Sequence, residues 1–342
     1  MRKNIFLVFS VAVFAMMFVS CIETYSQENN KTNENITVNK TEADTNVLRT
    51  NKKLPILNNM KFITSDVVSD PFVNTYFSIA AGTGIAYDLQ TNIKNFKGDI
   101  IKTVNGDLTY ISGGIQFQFA CNDWLAINAG YSGGGRLGTN TFTVLSQGIS
   151  YATSTTFGTK FRISNNKKLQ FSGIVDFAYR SVYSYSFYDY IKQAIENGQD
   201  SLAKNTLLQE DNVTKTFISC SWAYAPSDWI GFMAIAGYGA VKPLQQKLKG
   251  NIRLGGLAQI DFQNVKNIRF PIGISLSARY NSFSETAEDV NNIITYGFSV
   301  QYTGHKDFDI TIETTYQYLN YQNRIDDRIR SVQTFARVKY YF

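Results

Sequence analysis

The chain has 342 residues, 44% apolar, 14% aromatic and only 18% charged, with a formal net charge of +6. That length suffices for a large core or one large barrel, and so small a basic excess gives no footing to nucleic-acid binding. One histidine and three dispersed cysteines argue against a structural zinc site, and no glycine-rich phosphate loop or dinucleotide fingerprint is present, so neither metal nor cofactor is expected.

Arg2 and Lys3 precede a short apolar run, Ile5 to Val19, which is too brief to span a bilayer comfortably. A basic start, an apolar stretch and small polar residues are the pattern of a secretory signal peptide. Two cuts compete. "TYS" at 24–26 makes residues 1–26 the signal, with Gln27 first in the mature chain. "VSC" at 19–21 would remove 1–20 and leave Cys21 as a lipidated N-terminus, but Phe18 stands where that pattern prefers Leu.

Residues 27–72 read as a flexible periplasmic tether. From Gln27 to Lys61 the chain is rich in Asn, Thr, Glu and Lys and lacks aromatic residues, a composition that buries too little apolar area to offset ordering entropy. Residues 53–72, "KLPILNNMKFITSDVVSDPF", are more apolar and admit an ordered lead-in or a small plug. The plainer reading is a linker that stiffens near the first strand.

Residues 73–342 change character. Segments of about ten residues alternate with period two, the pleat signature of β-strands. In the last, Val332, Thr334, Ala336, Val338, Tyr340 and Phe342 share one face, opposite Ser331, Gln333, Phe335, Arg337, Lys339 and Tyr341. Phe308 to Tyr318 and Ile294 to Tyr302 behave alike. The pattern predicts strands near 75–87, 108–120, 124–132, 150–163, 168–183, 213–224, 229–241, 251–263, 268–281, 292–303, 307–320 and 330–342. About twelve strands result, with ten or fourteen open. Short links ("CNDW", "SNNKK", "APSD", "NVKN", "GHKD") alternate with longer ones near 88–107, 133–149, 184–212, 242–250, 282–289 and 321–328. The expected fold is therefore all-β: an antiparallel up-and-down transmembrane barrel, apolar face outward to lipid, with short periplasmic turns and long external loops. The longest link, 184–212, carries helix formers and reads as an external loop or a lid over the mouth.

Aromatics flank the short turns as an interfacial belt: Phe119 and Trp124, Trp222 and Trp229, Phe262 and Phe270, Tyr302 and Phe308, then Tyr340 and Phe342. Cys121 and Cys220 fall at different heights on different strands, so no disulfide is expected.

The closing "ARVKYYF" resembles the C-terminal signal of bacterial outer-membrane β-barrel proteins, with Val338, Tyr340 and Phe342 at its hydrophobic positions. The resemblance extends over residues 74–342 and names a broad class, not a specific family. It implies location in the outer membrane of a Gram-negative bacterium, recognition by the barrel-assembly machinery and contact with outer-membrane lipid.

The inferred inward face is basic. Lys160, Arg162, Arg180, Arg253, Arg269, Arg279, Arg337 and Lys339 outnumber Asp176, Asp261, Asp309 and Glu313. A low-dielectric wall strengthens the field of such a lumen and favours anions. This reading predicts a channel or porin-like transporter for small polar or anionic solutes. Wall-to-wall ion pairs, such as Glu313 with Arg337, account for the same residues without transport. The alternative function is a non-conducting barrel serving as surface anchor, adhesin or secretion component. A hydrolase ranks third, because the sole histidine, His305, lies in a predicted periplasmic turn with no nucleophile placed beside it; the chain is read as a non-enzyme.

Overall fold

The computed structural model describes residues 54–94, 100–138, 149–185, 208–243, 249–266, 268, 270–282, 290–321 and 328–342. The expected signal peptide, Cys21, most of the tether, Arg269 and most of loop 184–212 lie outside the described residues.

Two short strands come first, β1 (Ile56–Leu57) and β2 (Met60–Lys61). Twelve long ones follow: β3 (Tyr76–Lys94), β4 (Ile100–Ala120), β5 (Leu125–Gly138), β6 (Ile149–Asn165), β7 (Leu169–Tyr185), β8 (Leu208–Tyr224), β9 (Ile230–Pro243), β10 (Lys249–Asp261), β11 (Ile272–Asn281), β12 (Val290–Tyr302), β13 (Phe308–Tyr321) and β14 (Arg328–Tyr341). The twelve form one closed barrel in which each strand pairs antiparallel with its sequence neighbours. β14 returns to β3, from Tyr341 opposite Tyr76 to Arg330 opposite Tyr87. Closure removes every sheet edge, as a bilayer requires of backbone polar groups.

The strands lie where the alternation put them, but several run further towards the long-link end. Much of the predicted link 88–107 is hairpin. After a bulge between Ala86 and Leu89 and a second shift after Ile93, the pairing of β3 with β4 continues as far as Lys94 opposite Ile100, because this stretch keeps β-branched residues at pairing positions. β5 likewise reaches Gly138 and β8 begins at Leu208. The opposite correction applies to β11, which starts at Ile272. The connection before it is a 3-10 turn, Phe262–Asn264, opened by the Asp261 carboxylate accepting from Gln263 N–H.

Facing follows period two throughout, and its sense is the reverse of a soluble protein. Inward Gln301 and Glu313 are buried, while outward Ile111, Ile218 and Leu276 are each about two-thirds exposed, at 68%, 64% and 64%. Polar residues inside and a continuous apolar girdle outside define a transmembrane barrel of the outer-membrane type. At the short-turn end Trp124, Trp222, Trp229, Phe270, Tyr302, Tyr340 and Phe342 are exposed, and Phe119, Phe262 and Phe308 are half-buried beside them. Asn122 and Asn166 tighten two of the turns, each side-chain oxygen accepting from N–H groups two and three residues on.

Cys220 is free and exposed on β8, so it does not pair with Cys121.

Candidate functional site: the occupied lumen

Residues 54–75, which take in most of the stretch 53–72 expected as linker, lead-in or plug, lie inside the barrel at its short-turn end. The segment starts as a miniature hairpin. Ile56 pairs with Lys61 and Leu57 with Met60, around Asn58 and Asn59, whose φ angles of 50° and 65° are left-handed. Two successive positive-φ residues make the two-residue turn whose twist suits a hairpin, and asparagine tolerates that conformation better than most residues. This turn is fastened to the barrel's own turns. Asn58 N–H donates to Lys167 O (2.9 Å) and its side chain to Ala225 O (3.3 Å), while Asn264 Nδ2 donates to Asn59 O (3.2 Å).

Beyond the hairpin the chain crosses the lumen and returns to β3, and two kinds of wall receive it. Towards β8, β9 and β10 the contact is apolar: Leu57, Met60, Phe62, Val67, Val68 and Phe72 cluster with Ala223, Ala225, Met233, Ile235 and Leu257. The Phe62 and Phe72 rings meet at a tilt of 50°, with centroids 5.2 Å apart. At Gly231 an added Cβ would stand 2.7 Å from Met60 Sδ, so this position has no side chain because the plug fills its place.

Elsewhere the wall is polar and grips the backbone one bond at a time. Gln259 accepts from Ile63 N–H (2.8 Å) and Gln301 from Thr64 N–H (3.2 Å). Gln170 and Ser172 donate to Pro71 O at 2.7 and 2.6 Å. Ser221 donates to Ser69 O (2.6 Å), and Gln118 donates to Phe72 O (3.0 Å) and Asn74 O (2.9 Å). Three of the four wall amides are only half used: Gln259 Nε2, Gln301 Nε2 and Gln118 Oε1 have no hydrogen-bond partner among the described residues.

The three charged residues of the segment each meet an opposite charge. Lys61 Nζ lies 2.5 Å from Asp309 Oδ1 and donates to His305 O at 2.6 Å. Asp66 pairs with Arg337, while its backbone N–H donates to Glu313 (2.8 Å) and its carbonyl accepts from Arg279 (3.0 Å). Asp70 lies 2.8 Å from Lys160 Nζ and 3.6 Å from Lys339 Nζ. Burial pushes the Asp70 pKa up, but Lys160, Lys339, the Lys160 hydrogen bond and the Phe72 N–H together hold it down at about 2.

The expected inward residues therefore divide. Lys160 and Lys339 converge on Asp70, and Arg279, Arg337 and Glu313 converge on residues 65–67. Arg337 also approaches Glu313, at 3.9 Å. Arg162 shares the inward parity of β6 but sits nearer the short-turn rim, and Arg180 lies further towards the long-link end, opposite Ser154. Arg253 stacks over Phe217 at 4.1 Å, in the upper lumen. His305 does a turn residue's work: Nδ1 accepts from Asp307 N–H (3.1 Å) and the ring stacks on Phe308 at 4.3 Å.

What sequence reasoning missed is the plug's half of each contact, above all Lys61, Asp66 and Asp70. One signal was available. "IGFMAIA" (230–236) is apolar on both faces, and a lumen-facing Met233 and Ile235 call for an apolar partner inside.

No protein-family model matches the sequence, and no curated protein matches it. Among solved structures the chain is similar to CdiB from Acinetobacter baumannii, with a TM-score of 0.43 and 8% identity over 77% of this chain and 60% of that one. It is also similar to the translocator domain of the autotransporter NalP from Neisseria meningitidis, with a TM-score of 0.45 and 8% identity over 80% and 90% of the two chains. A Pseudomonas aeruginosa FadL homologue gives a TM-score of 0.45 and 9% identity over 85% and 99%. The chain spans 60% of the length of CdiB.

Proposed function

We propose that this protein is an outer-membrane transport barrel for small polar or anionic solutes, closed at rest by its own residues 54–75 and conducting when that segment leaves through the short-turn end. The observation that carries the reading is the placement of the plug's carboxylates. Asp70 stands between Lys160 and Lys339, and Asp66 stands on Arg337, so the segment occupies with its own anions the positions an anionic solute would take. Withdrawal leaves those cations facing an aqueous lumen, partly offset by Glu313 and Asp309, in a wall of glutamines and serines suited to water. The half-used wall amides support a seat that is not a permanent core.

One observation favours the second reading, a non-conducting barrel. The apolar contact of Met60, Phe62 and Val68 with Met233, Ile235 and Leu257 resembles a permanent interior. Planar-bilayer recording separates the two. The full chain is expected to be nearly silent, and a chain lacking residues 54–74 to conduct with anion selectivity. A correctly folded deletion variant that remains silent sinks the transport reading, and cation selectivity sinks its anionic part.

A further inference from the structure

Closing this barrel requires the last strand to find the first, the pairing with the largest sequence separation and hence the greatest loop-closure cost. Three sets of contacts converge on that seam. Side chains of the flanking strands meet across the small inward residues of β3. Phe335 of β14 lies over Gly82, where a Cβ would stand 2.6 Å from Thr334 O. Tyr110 of β4 covers Gly84 and donates to Val332 O of β14 (3.3 Å), and Gln333 of β14 donates to Ser112 of β4 (2.6 Å).

At the foot of the seam, Lys339 Nζ sits 3.7 Å above the Tyr76 ring and Tyr341 meets the same ring edge-on at 6.2 Å. Tyr341 Oη donates to Asp309 (2.8 Å), and Phe342 N–H donates to Thr75 O (3.1 Å). The third set is the plug. Each of its three charged residues reaches β13 or β14: Lys61 to Asp309, Asp66 to Arg337, Asp70 to Lys339. Lys160 on β6 is the one ion-pair partner among the described residues that lies elsewhere. The same segment then runs without interruption into β3.

We infer that residues 61–75 have a second function, as the staple that closes the barrel: their charges capture β13 and β14 and so deliver β3 to β14 in register. Capture shortens the search, because once Asp70 is held by Lys339 only a few residues separate it from Tyr76, the first residue of the pairing. The apolar contacts towards β8, β9 and β10 hold the finished plug and contribute little to that search.

The test is the folding rate of the urea-unfolded full chain into dilauroylphosphatidylcholine vesicles, read by the gel-mobility shift of the closed barrel. Unfolding rates are measured alongside. The triple variant Lys61→Ser, Asp66→Ser, Asp70→Ser is expected to fold about 10-fold more slowly, in addition to any faster unfolding from the loss of seated ion pairs; slowed folding is the mark of contacts formed before the transition state. The comparison variant Phe62→Ala, Val68→Ala is expected to unfold faster while folding at the parent rate. A triple variant that folds at the parent rate, or that only unfolds faster, overturns the inference. Should the triple variant fail to fold, Lys61→Asp alone is expected to be slowed and Lys61→Asp with Asp309→Lys to recover; absence of recovery overturns it equally. Conductance is not read, so the outcome is independent of the transport proposal.

Discussion

Asp70 shows how much a single carboxylate can do in this lumen. Lys160 and Lys339 face each other across the barrel interior, and Asp70 is what makes their proximity tolerable. Replacing it with Asn removes the carboxylate that both buried lysines contact, which costs about 3 kcal/mol of plug seating. The accessibility of residues 54–74 to added protease in vesicle-embedded barrels measures this loss. The acid response follows from the pKa of about 2, below the ordinary 3.8. A carboxylate held low in the seated state binds more protons when released, so its contribution is complete above pH 4 and is lost as pH falls towards about 2. Protease accessibility is therefore expected to stay constant from about pH 7 to 5 and to rise below about 4, a step that Asp70→Asn lacks. The inward direction of Lys160 and Lys339 was legible from period two alone. Asp70 was not, because it lies in a segment with no repeating period.

At the scale of elements, the plug has two sides because the wall has two characters. Strands β9 and β10 offer Met233, Ile235 and Leu257, and the segment answers with Met60, Phe62 and Val68. Phe62→Ala empties a site that is 1% exposed and is expected to weaken seating by about 3 kcal/mol. Gly231→Leu attacks from the wall side, placing a side chain where Met60 Sδ lies. Both variants are expected to raise the open fraction in bilayer recordings while leaving the gel mobility of the closed barrel intact; unchanged current from either counts against a seat held by apolar packing. The hairpin of β1 and β2 was not read from the sequence, although Asn58 and Asn59 are residues that tolerate its turn. Nor was its position, since a two-residue turn says nothing about which surface receives it.

For the molecule as a whole, the decisive asymmetry is between outside and inside. Ile218, in the middle of β8, points outward with 64% exposure, into hydrocarbon. Ile218→Arg is expected to destabilise the vesicle-embedded barrel by about 3 kcal/mol in urea titration. Gln116→Arg, on the inward face of β4 and exposed to the lumen, is expected to cost far less and to change ion selectivity once the plug is removed. Equal penalties at the two positions would contradict the assignment of faces. On the readings proposed above, the same asymmetry lets one set of inward charges serve transport, plug seating and barrel closure, because all three would take place in the one space the fold encloses.

The sequence by itself determined the class of fold: an antiparallel transmembrane barrel of about twelve strands, ten or fourteen being left open, with alternate residues facing out and in. This is written in a local period of two, and a pleated strand exposes that period whatever its neighbours are. Only the tertiary structure decided that the lumen is occupied, which cations have partners and where the seam is clasped. Those facts rest on single bonds between residues 54–75 and wall positions far away in the chain, such as Lys61 with Asp309 or Gln118 with Phe72. Such contacts have no period, and their partners become neighbours only after twelve strands have closed around them.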